Sequence, residues 1–485
     1  MTESDKILEG LNTEQKTAVI HNHGKNGPLL ILAGAGSGKT AVTVRRIAYL
    51  ISKGISPSSI LALTFTRKAA EELKDRTGEF INRIPGNPDS RVTAGTFHSV
   101  CLSILRENKK VRVASGRELN SILKKAMDFL PEYPGIPDIR SAQRAIDLIR
   151  NGKSDILNDE CLDYAHKLNS VYYGFKLKCN AYDFSDIIEE TVRMFLENEN
   201  ILEDCRKRFR YLLIDEYQDT NDIQYRFSRL LAGKSPNVFA VGDDDQSIYS
   251  FRGADIKNIL NFRKDYPDAE IIKLETNYRS SGNILAAANS VFKNKPKELR
   301  KALRVNHVTK EPLFLENRKV RIKFFKNCND EHAFILSEIE KIHRQDGLPP
   351  GSFAVLYRNN STGEIFRERT RSSLAEPQLK KLYETIILST LHASKGLQYP
   401  VVFFTGLEEG ICPFGAANIE EERRLFYVGI TRARFILYLS SCRYRTIRNA
   451  PVKFKTSRFI SALPAEAVKK DGILNTLKEK LIFRE

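Results

Sequence analysis

A glycine-rich segment is the first part of this sequence whose residues could perform chemistry. Residues 33–40 are Ala-Gly-Ala-Gly-Ser-Gly-Lys-Thr, preceded by an apolar run at 28–32 and followed by a helical pattern at 40–52. This strand–loop–helix context is that of a phosphate-binding loop, in which Lys39 contacts the β- and γ-phosphates and the Thr40 hydroxyl binds Mg²⁺. The backbone N–H groups facing the phosphates would be those of Ala35, Gly36, Ser37 and Gly38. A glycine-rich turn that binds nothing is the alternative.

Two adjacent acids follow another apolar run. Tyr211–Ile214 is followed by Asp215 and Glu216, and α/β sheets place their sites at the carboxyl ends of strands. Asp215 would hold Mg²⁺, directly or through water, and Glu216 would be the general base toward the attacking water. The acids could instead begin a helix cap, since Gln-Asp-Thr follows at 218–220. Beside a phosphate-binding loop, nucleotide hydrolysis is the favoured interpretation.

Phosphoryl transfer also requires cations that neutralise the developing charge. Arg279 in Asn-Tyr-Arg-Ser (277–280) and Arg432 in Gly-Ile-Thr-Arg-Ala-Arg (429–434) are candidates. Because the chain has 77 Lys and Arg residues, residue type alone singles out neither. Ordinary surface charge is the alternative for both.

The elements that would position these residues are short apolar strands separated by helices. One set of apolar runs lies at 28–32, 60–63, 211–214, 238–241 and 271–274, and a second at 353–357, 386–388, 401–404 and 435–439. Such alternation is typical of βαβ units, so the two sets predict two α/β domains with parallel sheets. Residues 101–185 have amphipathic helical patterns instead, for example at 141–150, and predict a helical insertion in the first domain.

Composition narrows the class of protein further. Lys and Arg total 77 against 60 Asp and Glu, and the net charge of +17 indicates an anionic partner, with nucleic acid the first candidate; a merely soluble basic surface is the alternative. No apolar run approaches the roughly 18 residues of a membrane span, and the N-terminus lacks a signal-peptide pattern. The 7 cysteines include no C-x-x-C pair, which argues against disulfide and zinc sites and predicts a reducing cytoplasm.

A series of motifs along the chain resembles, in the same order, the UvrD/Rep/PcrA group of superfamily 1 DNA helicases. The motifs are LNTEQ (11–15), AGAGSGKT (33–40), ALTFTRKAAEEL (62–73), TAGTFHS (93–99), LLIDEYQDTN (212–221), VGDDDQSIYSFRGA (241–254), LETNYRS (274–280), LSTLHASKGLQYPVVFFTGLEEGICP (388–413) and EERRLFYVGITRAR (421–434). The resemblance implies ATP and Mg²⁺ as cofactors and single-stranded and tailed duplex DNA as substrates. It also implies no membrane partner, repair or replication proteins as candidate partners, and a cytoplasmic, nucleoid-associated location.

The resemblance assigns further residues by position. Gln15 stands where the family glutamine contacts adenine, Tyr278 where a tyrosine stacks on that base, and Gln246 where the γ-phosphate is sensed. Arg279 and Arg432 occupy the two arginine-finger positions. Aromatic platforms for DNA bases would be Phe65, Tyr249 and Phe251, with Thr96, His98, Arg252 and His392 as contacts to the DNA backbone. Aromatic residues can also be core residues, an alternative that suits Phe97 and Phe426.

The resemblance implies two RecA-like domains with ATP between them and DNA crossing both. Domain 1A would comprise 1–100 and 186–283, with helical insertion 1B at 101–185. Domain 2A would comprise 284–360 and 385–445, followed by a basic C-terminal tail at 446–485, whose alternatives are a DNA contact and a solvated surface. Family members usually insert a large subdomain, 2B, into domain 2A. Residues 358–384 are too few for it, so we expect a short linker at 361–384.

Three positions depart from the family pattern. Gln398 replaces a glutamate that contacts the ribose, which places sugar selectivity in question although an amide still forms hydrogen bonds. Phe251 replaces a common tryptophan, so weaker stacking is expected. Ala41 follows Thr40 where many members have an arginine.

The first hypothesis is an ATP-dependent 3′→5′ DNA helicase. The second is a single-stranded DNA translocase that displaces proteins and needs a partner to unwind. A nucleotide-gated DNA-binding switch is a third, against which Glu216, Arg279 and Arg432 argue. A helicase–nuclease is disfavoured because few residues follow Arg434. RNA stays open as a substrate because stacking platforms accept both sugars.

Overall fold

The computed structural model describes residues 3–21, 27–81, 92–233, 237–296, 300–306, 318–372, 382–415, 418–447 and 450–472. The chain divides into two compact units. The first comprises Met1–Leu32, Lys39–Asp244 and Tyr249–Ile272, and the second comprises Ala33–Gly38, Asp245–Ile248 and Lys273–Glu485. Among the described residues, none of the helices combines the length and apolar composition that a bilayer crossing requires.

A six-stranded sheet with the order β3-β2-β6-β7-β1-β8 organises the first unit. The strands of this unit are β1 (Leu29–Ala33), β2 (Ile60–Thr64), β3 (Thr93–Thr96), β4 (Arg112–Val113), β5 (Ala181–Tyr182), β6 (Tyr211–Ile214), β7 (Asn237–Gly242) and β8 (Glu270–Leu274). The pairs from β3 through β1 are parallel. Every residue of β1 and β2 is buried, as expected for parallel strands that helices cover on both faces.

The first unit also contains thirteen described α-helices. They are α1 (Glu3–Leu8), α2 (Thr13–Ile20), α3 (Lys39–Ser52), α4 (Arg67–Ile81), α5 (Phe97–Asn108), α6 (Gly116–Phe129), α7 (Ile139–Arg150), α8 (Asp159–Lys178), α9 (Phe184–Glu197), α10 (Glu199–Arg208), α11 (Asp222–Ala232), α12 (Lys257–Leu260) and α13 (Phe262–Asp265). Phe97 and Leu105 of α5 and Ile187 of α9 are buried in the same core as β2 and β6. Helices α5 and α9 therefore belong to the packing of the sheet.

Helices α6, α7 and α8 form a separate small core that includes Leu123, Ala142 and Leu168. Strands β4 and β5 pair in parallel beside it. An ionic network joins this core to α9, because Lys176 Nζ lies 2.6 Å from carboxylate oxygens of Asp183 and Asp186. This small core lies within 101–185, the range of the predicted helical insertion, although most of α5 in that range packs on the sheet instead.

A seven-stranded sheet organises the second unit, with the order β13-β12-β14-β15-β11-β17 and β16 paired to β15. Its elements are β9 (Thr276–Asn277), α14 (Gly282–Val291), β10 (Arg304–Val305), β11 (Val320–Asn327), α15 (Cys328–Asp346), β12 (Phe353–Tyr357), α16 (Asn360–Ser372), β13 (Ile387–Thr390), β14 (Tyr399–Phe404), α17 (Ile419–Ile430), β15 (Ala433–Ile447), β16 (Ala450–Lys453), α18 (Arg458–Ser461) and β17 (Val468–Gly472). All strand pairs are parallel except β15–β16.

The predicted fold class, two parallel-sheet α/β domains with a helical insertion in the first, is confirmed. Within the segment predicted as a linker at 361–384, the structure has helix α16, whose Phe366 packs into the core of the second sheet. Residues 373–381 of that linker lie outside the described residues. Within the predicted tail, β16, α18 and β17 extend the second unit, and 473–485 again lie outside the described residues.

Candidate nucleotide and DNA sites

The carboxyl ends of β1 and β6 bring a lysine and two acids together. Strand β6 leads into Asp215 and Glu216, and helix α3 begins at Lys39. Lys39 Nζ lies 3.2 Å from Oε1 and 3.3 Å from Oε2 of Glu216. The backbone N–H of Glu216 donates to Oδ1 of Asp215 at 2.9 Å. Glu216 has a left-handed backbone with φ of 49°, which is strained for a residue other than glycine and recurs at functional sites.

Electrostatics at Lys39 reflect this concentration of acids. Burial by itself would lower the pKa of Lys39, but the surrounding carboxylates outweigh it and raise the pKa above its usual value. The carboxylates responsible are those of Glu216, Asp243 and Asp215. Lys39 is therefore protonated at neutral pH, as a ligand of phosphate must be.

The same acids suit a divalent cation. Asp215 offers a carboxylate, and Thr40 offers a half-buried hydroxyl in the first turn of α3. Oxygen donors of this kind are what Mg²⁺ prefers, and the negative field that raises the pKa of Lys39 would also attract the cation. The residues present therefore fit the metal.

The phosphate-loop backbone lies in the second unit and is held by the segment after β8. The side-chain amide of Asn277 donates to the carbonyl of Ala35 at 2.6 Å, and the backbone N–H of Tyr278 donates to the carbonyl of Gly36 at 2.9 Å. Gly36 has φ of +67°, and a Cβ there would lie 2.7 Å from Cβ of Arg279. The Ser37 hydroxyl donates to the carbonyl of Gly34 at 2.8 Å. Asn277 and Tyr278 thus hold the phosphate loop through the carbonyls of Ala35 and Gly36.

Two further residues of this region are Gly38, the last residue of the loop, and Tyr278, which follows β9. Gly38 has a positive φ of 87°, the conformation glycine adopts most readily, and it immediately precedes helix α3. The side chain of Tyr278, the predicted adenine-stacking residue, is half-buried.

Two predicted phosphate-sensing residues contact each other in the second unit. Arg432 is 1% exposed, and its Nη2 donates to Oε1 of Gln246 at 3.2 Å. The remaining guanidinium contacts are Val428 O at 2.9 Å, Leu397 O at 3.0 Å and Thr431 Oγ1 at 3.1 Å. Arg279 donates to the carbonyl of Thr431 at 3.3 Å. By residue type Arg432 is one of 77 basic residues, but in the structure it is a buried, hydrogen-bonded cation.

Gln398 lies between two residues that contact Arg432. The carbonyl of Leu397 accepts from Nη1 of Arg432, and the N–H of Tyr399 donates to the carbonyl of Arg432 at 2.9 Å. The side chain of Gln398 itself is exposed. The predicted ribose contact is therefore an accessible amide beside a fixed arginine.

Gln15 is a buried member of a capping box at the start of α2. Its Oε1 accepts the N–H of Asn12 at 3.1 Å, and its own N–H donates to Oδ1 of Asn12 at 2.8 Å. Two consecutive arginines of α3 hold this region: Arg45 donates to the carbonyl of Ile7 at 2.7 Å and Arg46 to that of Val19 at 2.8 Å. Burial lowers the pKa of Arg46 to about 10. The helix that follows the phosphate loop thereby positions the predicted adenine contact.

An aromatic platform lies in the first unit beyond β2. Phe65 and Tyr249 are stacked, with ring centroids 6.3 Å apart and planes inclined by 6°. Phe251 lies 6.0 Å from Tyr249 and is 52% exposed. The guanidinium of Arg252 lies 5.2 Å from the centroid of Tyr249 and 5.5 Å from that of Phe251. Phe65 and Tyr249 are half-buried, so Phe251 is the exposed ring of this group, and an exposed ring with an adjacent cation suits single-stranded nucleic acid.

Thr96 and His98 lie at the end of β3, the neighbour of β2 in the sheet. Thr96 caps α5 by accepting the N–H of Ser99 at 3.2 Å. Burial lowers the pKa of His98, so its ring is neutral at pH 7. Phe184, 59% exposed, meets His98 edge-to-face at 5.9 Å. Sequence analysis missed Phe184; a large apolar residue directly after the capping Asp183 was the available signal.

His392, another predicted contact to DNA, lies in the second unit shortly after β13. It is half-buried, and its carbonyl accepts the N–H of Lys395 at 3.3 Å. Phe97 and Phe426 are 1% and 0% exposed, as the core interpretation predicts. The structure therefore brings Phe65, Tyr249, Phe251 and Arg252 into one group, while His98 and Thr96 lie at the adjacent strand end.

Two protein-family models match this chain. The model of the UvrD/REP helicase N-terminal domain matches residues 11–267, and that of the UvrD-like helicase C-terminal domain matches 272–373 and 364–444. The ATP-dependent DNA helicase PcrA of Bacillus subtilis is 29% identical over 679 aligned positions, which cover 98% of this chain and 88% of that protein. This alignment is longer than the chain, so it includes segments that the relative has and this chain lacks.

Staphylococcal relatives are similar over a shorter range. The ATP-dependent DNA helicase PcrA of Staphylococcus aureus is 38% identical over 380 positions, covering 75% of this chain and 50% of that protein. The protein of the same name from Staphylococcus epidermidis is 36% identical over 382 positions, with the same coverage. The matched region thus spans about half the length of these relatives. The chain belongs to the UvrD/REP family of ATP-dependent DNA helicases.

Proposed function

We propose that this chain hydrolyses ATP with Mg²⁺ to move 3′→5′ along single-stranded DNA and to separate duplex ahead of it. The observation that carries the proposal is the shared edge of one sheet in the first unit. Strand β3 ends at Thr96, Phe65 directly follows β2, and Asp215 and Glu216 directly follow β6. Residues suited to DNA and residues suited to ATP thus lie at the ends of neighbouring strands of one sheet.

Each group supports one part of the reaction. Lys39 would bind the β- and γ-phosphates, Asp215 and Thr40 would hold Mg²⁺, and Glu216 would accept a proton from the attacking water. Bound Mg²⁺ would supply charge neutralisation on the phosphates. Arg279 and Arg432 would stabilise the charge that develops on the transferred group, with Gln246 held against Arg432.

DNA binding would rest on stacking and phosphate contacts. Phe65, Tyr249 and Phe251 offer ring faces that accept any base, and Phe184 extends the aromatic surface beside His98. Arg252 adds a cation next to two of the rings. A protein with this substrate would act on chromosomal DNA, where repair or replication proteins are candidate partners.

The test is ATP-driven displacement of a labelled strand from a duplex with a 3′ single-stranded tail, beside the same duplex with a 5′ tail. Displacement from the 3′ tail only is the expected result. Displacement from the 5′ tail only would refute the polarity. ATP analogues that resist hydrolysis should give no displacement on either substrate.

A second candidate function is translocation on single strands without unwinding. It is favoured by the small number of residues between Ser372, the end of α16, and Ile387, the start of β13, where the family resemblance leads us to expect the 2B subdomain. In that case single-stranded DNA would stimulate ATP turnover and displace a bound protein, while both tailed duplexes stay intact.

A further inference from the structure

The side chain of Gln218 connects two strand ends of the first sheet. Gln218 is 0% exposed, two residues after Glu216. Its Nε2 donates to Oε2 of Glu216 at 2.5 Å and to Oδ2 of Asp219 at 3.2 Å. Its Oε1 accepts the backbone N–H of Asp243 at 2.8 Å. A single carboxamide therefore joins the general-base candidate after β6 to the backbone that follows β7.

The end of β7 is shaped to admit this carboxamide. Gly242 is the last residue of β7, and a Cβ there would lie 2.7 Å from Oε1 of Gln218 and 2.7 Å from Cδ1 of Ile259. Contacts that short are not tolerated by a buried amide with three hydrogen bonds. The absence of a side chain at Gly242 is thus required by close approach.

The turn that bears Gln218 is also fixed. The N–H of Asp219 donates to the carbonyl of Glu216 at 2.9 Å, and the Thr220 hydroxyl donates to the carbonyl of Tyr217 at 2.8 Å. The amide of Asn258 donates to the carbonyl of Thr220 at 2.9 Å. A buried polar network in which each member is bonded holds its groups in one geometry.

We propose that Gln218 is a positioning residue for ATP hydrolysis. Its side chain holds the Glu216 carboxylate where the attacking water binds, and it connects that carboxylate to the backbone N–H of Asp243. This inference rests on the proposed function. Lys39 also contacts Glu216, but it must leave this carboxylate to bind the phosphates of ATP. The hydrogen bond from Gln218 to Glu216 can persist through the whole ATP cycle. Asp243 precedes Gln246 by three residues, so movement of that segment would reach Glu216 through one side chain.

A merely structural role for Gln218 makes a different prediction, and Gln224 provides the matched control. Gln224 is also buried, and its Oε1 accepts the N–H of Asn221 at 3.1 Å in the capping box of α11. Replacing either glutamine by methionine keeps the length of the side chain and removes its polar contacts. Loss of stability alone should affect both variants alike.

The experiment measures DNA-stimulated kcat, KM for ATP and Tm of Gln218→Met, Gln224→Met and the parent chain. We expect kcat of Gln218→Met to fall about 100-fold with KM changed less than about threefold, because a misplaced base costs catalysis and not binding. Gln224→Met should lose Tm but keep kcat within about twofold of the parent. Parental kcat in Gln218→Met would overturn the proposal.

A double substitution asks whether Gln218 acts through Glu216. In single-turnover hydrolysis, adding Gln218→Met to Glu216→Gln should change the rate less than about twofold, whereas multiplied losses would overturn the proposal. If Gln218→Met does not fold, Gln218→Asn decides, because it keeps the amide chemistry but is too short to contact both Glu216 and the N–H of Asp243. The same loss of kcat supports the proposal and parental kcat overturns it. A parent chain without ATP turnover would instead refute the proposed function.

Discussion

Lys39 of the phosphate loop and Glu216, the candidate general base, form an ion pair with Nζ 3.2 Å from Oε1. The two residues are 177 positions apart in sequence, and the parallel sheet brings them together because β1 and β6 end at the same edge. Lys39 cannot donate fully to ATP phosphates and to this carboxylate at once. Phosphate binding would therefore act directly on Glu216, the candidate general base.

Removing the lysine should separate hydrolysis from DNA binding. We expect Lys39→Ala to lower kcat for ATP at least about 100-fold, since the charge that stabilises the transferred phosphate is lost. Affinity for single-stranded DNA, measured by fluorescence anisotropy, should stay within about threefold of the parent, since the aromatic platform is untouched. Lys53→Ala, an exposed lysine just beyond α3, is the control for removing a positive charge. Normal turnover by Lys39→Ala would contradict the phosphate-site assignment.

Arg432 should not tolerate replacement by lysine. Its guanidinium bonds to three acceptors in its own surroundings and to Gln246, a fork that an ammonium cannot reproduce. We expect Arg432→Lys to lower kcat about 1000-fold, within the range for arginine fingers, and to lower Tm because buried acceptors lose partners. Arg423→Lys, at a half-buried position of α17 where Nε lies 3.4 Å from Oε1 of Glu420, should leave both quantities near parental values. A parental kcat in Arg432→Lys would show that charge alone is needed there.

The sequence predicted most strands of both sheets because parallel strands covered by helices are continuous apolar runs. It missed β3, which reads Thr-Ala-Gly-Thr, and β11, in which Lys and Arg alternate with apolar residues. It also missed β16 and β17, which lie in the predicted tail. None of these four strands has the apolar run that identifies a buried strand. Strand β3 is recognisable only through its partner, since Thr64 of β2 is in register with Thr96.

Motif spacing predicted the phosphate-loop lysine and the acids after β6, and the family resemblance predicted both arginines. Neither identified Gln218 or Phe184. Gln218 was considered only as part of a helix cap, and its contact with Asp243 depends on how β6 and β7 pair. Phe184 begins α9 and reaches His98 across 86 positions of sequence. Local sequence patterns do not determine such long-range contacts, because these contacts depend on the tertiary fold.

The exposed ring of Phe251 should contribute directly to DNA affinity. We expect Phe251→Ala to weaken binding of single-stranded DNA by about 1–3 kcal/mol, the usual value of one base–aromatic stack. Phe251→Trp should bind at least as tightly as the parent, because the larger ring stacks better. Phe129→Ala is the control, since Phe129 is 69% exposed on the helical insertion. Equal affinities of Phe251→Ala and the parent, measured in one salt concentration, would remove Phe251 from the platform.

Arg252 and His98 should differ in their effect on the salt dependence of DNA binding. Arg252→Gln is expected to reduce the slope of log K against log salt by about 0.7, the value for one phosphate contact on a single strand. His98→Gln should leave the slope unchanged at pH 7, since burial lowers the pKa of His98 and its ring is neutral. Affinities measured from 50 to 300 mM salt give both slopes. A reduced slope for His98→Gln would mean that this residue binds DNA as a cation.

His98 should also make folding stability depend on pH in the acid range. Because burial lowers its pKa in the folded chain, the unfolded chain binds a proton more readily near pH 6. The free energy of unfolding should therefore fall as pH decreases below about 6.5, the usual histidine value, and recover as pH rises. His98→Gln lacks this titration, so the difference between parent and variant should grow in favour of the variant toward pH 5. Denaturant unfolding at pH 5, 6, 7 and 8 measures that difference; parallel pH curves would show that His98 is protonated equally in both states.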